Sequence, residues 1–146
     1  MADKTIDATA LMGVDLGVAE TGDLQVRWQL RQPVPARGVV LLSLMVTTAR
    51  SYPIRRQIGY KAINGEQAAL FVFDYDTGRQ ATLDGAADVT SESVSVLVPK
   101  SALGYVHDWQ WWATVNIDGK DVDRWPRSST GDRPADRHVA SIVWPA

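Results

Sequence analysis

The chain contains no cysteine and only two histidines, His107 and His138, in 146 residues. The missing thiols exclude disulfides, thiolate metal sites and cysteine nucleophiles. They leave the compartment open, because a core of this size holds without disulfides. Hydrolytic chemistry ordinarily needs a nucleophile beside a positioned base, and neither histidine stands in a G-x-S-x-G or H-E-x-x-H context. A zinc site would have to gather both histidines with carboxylates from distant segments. No basic cluster exists either: 15 lysines and arginines are scattered against 17 acidic residues, for a formal net charge of −2. The concentrated basic face that nucleic acid requires is therefore not expected. The longest apolar run, Val39–Val46, is interrupted by Ser43 and falls well short of the roughly 20 residues of a bilayer span. Met1 to Asp7 shows no basic segment leading into an apolar run and does not read as a secretory signal. A leader removed beforehand, or a phage source, would place the protein outside the cell or in a virion; otherwise the cytoplasm is expected.

Also missing are a 3.6-residue apolar period beyond about two turns, internal repeats and low-complexity tracts. What is present is β pattern. With 45% hydrophobic residues the chain can bury roughly two thirds of its unfolded surface, enough for one core without metal or disulfide. Leu24 to Arg31 alternates apolar and polar residues over eight positions, the signature of a half-buried strand. Gly38 to Thr48 is apolar on both faces and rich in β-branched residues, as in a central strand covered on both sides. Gln57–Ile63 and Glu66–Tyr75 flank Asn64-Gly65, a pair suited to the two positive φ angles of a type I′ hairpin. Phe71 and Phe73 share one face of the second arm and are expected in the core. Short strands follow at Gln80–Leu83, at Asp88–Thr90 and at Ser93–Val98, which stops at Pro99; Ser101–Gly104 suits one helical turn. In Trp109–Asp118, the residues Trp109, Trp111, Ala113, Val115 and Ile117 share one face, with Trp112 opposite. Eight or nine short strands with turn signals between them predict an all-β antiparallel sandwich, immunoglobulin-like or jelly-roll-like. Its expected extent is 1–126. Residues 127–146 then form a polar crossing and a terminal strand or arm, packed on the same domain or on a neighbour.

Aspartate outnumbers glutamate 14 to 3. Asp74 and Asp76 form one carboxylate pair, the only arrangement here with a hydrolytic flavour beside the Asp118 to Asp123 turn. Asp118, Asp121 and Asp123 are a weak calcium candidate, since loop carboxylates and carbonyls suit a hard cation, but the spacing is not that of an EF-hand. Aspartate also caps turns through its side chain, and that use needs no metal. No cofactor is expected. The aromatic residues are more telling. Trp112, Trp125, Tyr52, Tyr60 and Tyr105 fall on outward faces or in loops, where flat rings bind glycans; equally, an outward tryptophan covers an interface. Val139, Ile142, Val143 and Trp144 belong to the terminal arm, which suits strand addition to a neighbouring sheet.

The segments Gln57-Ile58-Gly59-Tyr60-Lys61, Asn64-Gly65, Phe71-Val72-Phe73-Asp74, Val96 to Leu103 and Asn116 to Pro126 together resemble an uncharacterised type of β-sandwich domain from actinobacterial proteins, many of them exported. The resemblance spans about residues 7 to 126 and implies a sandwich without known catalytic residues. The reading at this stage is a non-catalytic sandwich that works through a protein partner, a homo-oligomer or a glycan. A structural or virion-decorating subunit, a cell-surface protein, a carbohydrate-binding module and a carboxylate-dependent hydrolase are its alternatives.

Overall fold

The computed structural model describes residues 11–48, 55–103, 109–125 and 141–142. In chain order the elements are β1 (Leu11–Val18), β2 (Leu24–Leu30), β3 (Val39–Thr48), β4 (Arg55–Ile63), β5 (Glu66–Asp74), β6 (Arg79–Thr82), β7 (Asp88–Val89), β8 (Ser93–Val98), α1 (Lys100–Leu103), β9 (Trp109–Ile117), β10 (Lys120–Trp125) and β11 (Ser141–Ile142). They form two wholly antiparallel sheets. The smaller has the order β1-β2-β8-β7 and the larger β10-β9-β3-β4-β5-β6. The edge of β9 beyond β3 is shared: β10 pairs with Ala113 to Ile117, and β11 with Trp109 and Gln110 of the same chain. The predicted all-β sandwich is what forms, with a single helical turn at α1. Among the described residues, no helix is long and apolar enough to cross a membrane.

The two sheets face each other across one apolar core. Val26, Trp28, Val94 and Val96 come from the smaller sheet, and Val40, Leu42, Leu44, Ile58, Leu70, Val72, Ala113 and Val115 from the larger. Strand periodicity puts each of these in and its neighbour out. Trp28 carries a polar bond across the gap: its buried indole Nε1 donates to the Ser43 carbonyl at 3.2 Å. An indole N–H without a partner there would be costly.

Strand β3 lies centrally, and its start is held from both sides. On one side the Gly38 N–H donates to Asn64 Oδ1 at 3.0 Å, while the Asn64 N–H donates to the Gly38 carbonyl at 2.9 Å. On the other, the Val39 N–H donates to Asp118 Oδ1 and the Asp118 N–H to the Val39 carbonyl, both at 2.8 Å. Asn64 (φ 51°) and Asp118 (φ 50°) each precede a positive-φ glycine, Gly65 and Gly119, so both hairpins, β4–β5 and β9–β10, turn through left-handed residue pairs. The two turns thus bond consecutive residues, Gly38 just before β3 and Val39 at its start. Gly38 is itself at φ +88°, and a Cβ there would come within 3.0 Å of the Asp118 carboxylate.

Three sequence expectations are corrected. Tyr60 was expected to point outward, but it alternates with Ile58 and Ala62 on the inner side of β4 and is buried in the core; that burial raises its phenol pKa. Trp125 was expected to be an outward aromatic, yet it sits opposite Ala113 and packs against the core. A bulge between Asp121 and Asp123 sets the facing of that end of β10. Phe71 and Phe73 do share a face, but it is the outer one, because Leu70 and Val72 take the core side of β5. Two strands, β1 and β10, escape periodicity altogether: Gly13 and Gly17 interrupt the first, and the second is nearly all polar.

Replacing Asn64 or Asp118 with alanine should each lower the unfolding free energy by about 1–2 kcal/mol, read as a shifted urea midpoint at unchanged slope. Asp118→Asn, which keeps the acceptor, should lose less.

Candidate functional site

A sandwich normally shows water a polar outer face on each sheet. The smaller sheet does so: Asp15, Gln25, Arg27, Gln29, Ser93 and Ser95 face outward, Gln29 bonding Asp15 and Arg27 bonding Ser95 Oγ. Met12 and Leu97 interrupt it. The larger sheet does not. Across its outer face one row reads Trp112, Met45, Gln57 and Phe73, and the next Thr114, Ser43, Gly59 and Phe71. Leu41 and Tyr75 extend the apolar surface along β3 and past the end of β5.

This face is ordered by short-range contacts. Gly59 lacks the side chain that would overlap the Phe71 ring, so the far end of the ring packs over the Gly59 backbone and Phe71 is 9% exposed. The Ser43 hydroxyl accepts from Gln57 Nε2 at 2.8 Å, and Gln57 Oε1 accepts from the Tyr75 hydroxyl at 3.2 Å. Phe73 meets Tyr75 edge to face, centroids 4.9 Å apart and planes at 82°. This geometry suits the ring quadrupoles. Trp112, half-buried, and Tyr75, 43% exposed, stand over a depression of about 290 Å³ also bounded by Met45, Val46, Thr47 and Arg55. The arrangement combines aromatic walls, an apolar floor, a pinned phenol and a guanidinium.

Of the sequence candidates, Trp112 is thus in this site, while Tyr60 and Trp125 belong to the core. Tyr52, Tyr105, Val139, Val143 and Trp144, like both histidines, lie outside the described residues. The backbone of Ile142 pairs with Trp109 of the same chain. The three calcium candidates are spread over separate tasks. Asp118 Oδ1 holds β3, Asp121 Oδ1 accepts from Asn116 Nδ2, and Asp123 Oδ2 accepts from the Leu11 N–H at 2.8 Å, tying β1 to β10. Among the described residues, no group of three or more histidines and carboxylates converges as a metal would require. The residues missed are Met45, Arg55, Gln57, Phe73 and Tyr75. A signal existed: Leu70-Phe71-Val72 is apolar at consecutive positions, so one of them must face outward.

Asp74 and Asp76 do come together, at the open end of the sandwich, but around a cation. Arg56 Nη1 lies 3.0 Å from Asp74 Oδ1 and 2.9 Å from Asp76 Oδ2. Asp74 Oδ1 also accepts from the N–H groups of Asp76 and Thr77, closing the turn that ends at Gly78. Partial desolvation pushes the Asp74 carboxyl up. The hydrogen bonds from Asp76 and Thr77 and the charge of Arg56 outweigh it and hold the carboxyl below its ordinary value. A general acid needs the opposite shift.

Because the folded state lowers this pKa, Asp74 stabilises fully above the ordinary aspartate value of about 4 and progressively less as pH falls through its own lower value. Urea titrations of Asp74→Asn should therefore show a shallower loss of stability below about pH 4 than the parent chain. Gly59→Ala should lift Phe71 and lower stability by about 1–3 kcal/mol, read by the same method. No family model matches the chain, and comparisons with curated proteins and with solved structures likewise find no match.

Proposed function

We propose that the protein is a non-catalytic β-sandwich that works by contact, with the outer face of the larger sheet as its binding surface. The contrast between the two outer faces carries this reading. The same chain builds one face that is polar apart from Met12 and Leu97 and one on which Leu41, Met45, Phe73, Tyr75 and Trp112 adjoin, so the difference is not a matter of composition. Tryptophan, tyrosine, phenylalanine, methionine and arginine are also the residues enriched where proteins meet partners. The engaged carboxylates favour binding over catalysis, since Asp74 is held ionised beside Arg56. A structural or binding subunit fits this surface. The Trp112–Tyr75 depression favours a glycan among the ligands it could take.

The test uses the full chain in light scattering, native mass spectrometry and a glycan array. Met45→Lys should weaken self-association or glycan binding at least tenfold while the melting temperature moves by only a few degrees. Leu97→Lys, on the outer face of the smaller sheet, should leave both unchanged. A chain that stays monomeric and binds no glycan, or whose contacts ignore Met45→Lys, overturns the reading.

A further inference from the structure

We infer that the ligand of this face is an acidic glycan, with the apolar face of one sugar ring lying on Trp112 and Tyr75 and its carboxylate meeting Arg55. The inference rests on the outer face of the larger sheet being a binding surface, and it names the chemistry that the surface takes.

Charge is the first argument. Although the chain is acidic overall, the outward positions of β4 and β10 carry Arg55, Lys61 and Arg124. Glu66 and Asp121 lie at the far end of that face beside the two hairpin turns, Asp121 already bonded to Asn116, while Asp74 and Asp76, which flank Tyr75, are both paired with Arg56. Arg55 has no hydrogen bond or ion pair to its guanidinium among the described residues; its carbonyl alone is engaged, by Tyr75 N–H and Arg56 Nη1. The neighbouring Arg56 is paired with Asp74 and Asp76 on the opposite side of the sheet. Arg124 Nε is buried and likewise without a partner among the described residues. An anion therefore finds an unengaged guanidinium directly beside the aromatic pair.

Shape is the second. A depression of about 290 Å³ open to solvent is at the low end for small-molecule sites, roughly 300–1,000 Å³. It desolvates one side of a ligand only. A purely apolar ligand would leave its other side in water, whereas a pyranose has an apolar face for the rings and hydroxyls for the solvent. A second copy of the chain would bring the same three cations against these. Nucleic acid gains affinity by neutralising several phosphates at once, but Arg55 and Lys61 are six residues apart on one strand, about 20 Å, with apolar surface beside them.

Calorimetric titration of the full chain with a galacturonate trimer, the neutral galactose trimer and a short oligothymidylate decides the matter. The acidic trimer should bind at least tenfold more tightly than the neutral one. Arg55→Gln, a change at an exposed and unengaged side chain, should bring the two to equal affinity, and Trp112→Ala should weaken both. Equal binding of the two trimers by the parent chain overturns the inference, as does acid preference that survives Arg55→Gln, tighter binding of the oligothymidylate, or binding of neither sugar. If neither sugar binds but self-association still responds to Met45→Lys, only the ligand assignment falls. If that response is lost too, the binding face itself falls.

Discussion

Four hydrogen bonds to two consecutive residues, Gly38 and Val39, set the register of the central strand. Asn64 and Asp118 each offer a side-chain oxygen and a backbone N–H from the apex of a hairpin, so β3 is gripped on both edges at its first residues. A one-residue slip of a strand exchanges its faces completely. The grip therefore decides more than local stability. It determines that Val40, Leu42, Leu44 and Val46 go to the core while Leu41, Ser43, Met45 and Thr47 go outward. Both neighbours, β4 and β9, take their pairing from this strand, and with it the rows that place Trp112 beside Met45 and Gln57 beside Phe73.

Ser43 links the inside of the sandwich to that outer surface. Its carbonyl receives the Trp28 indole from the facing sheet, and its hydroxyl receives Gln57, which in turn holds the Tyr75 hydroxyl. A polar residue inside an otherwise apolar strand thus has two uses. It satisfies the buried indole N–H of Trp28, and it orients a wall of the candidate site through a single intermediate side chain. Apart from Tyr75, which sits in the turn after β5, the residues of this surface are positioned by β-sheet backbone, which limits the conformational freedom a partner would have to freeze.

The abundance of aspartate has a mechanical explanation. Asp118 clamps β3, Asp123 joins the edges of the two sheets through the Leu11 N–H, Asp74 closes a turn, and Asp76 shares Arg56 with it. Asp118, Asp123 and Asp74 accept backbone N–H groups, while Asp76 accepts from the Arg56 guanidinium.

Alternation and turn chemistry made much of this fold legible in the sequence alone. Leu24 to Leu30, Ser93 to Val98 and the Asn64-Gly65 hairpin follow from side-chain period and from which residues tolerate positive φ, both local properties. Trp112 on an outward face followed from the same period. Where both faces of a strand are apolar, period carries no sign. Nothing local tells whether Phe71 or Val72 faces the core, or whether Tyr60 is inside, and there the pairing to β3 decided. Strands β1 and β10 were silent because glycine and aspartate mask them, and a bulge turned Trp125 inward. The site itself depends on tertiary structure: Arg55, Met45, Tyr75 and Trp112 come from four segments and meet only through cross-strand register. The chain by itself determined that it would be an antiparallel sandwich, and that it would carry no thiol. Which of the larger sheet's aromatic residues would face outward was decided only when the two hairpin turns closed on Gly38 and Val39, because facing is a property of pairing and not of composition.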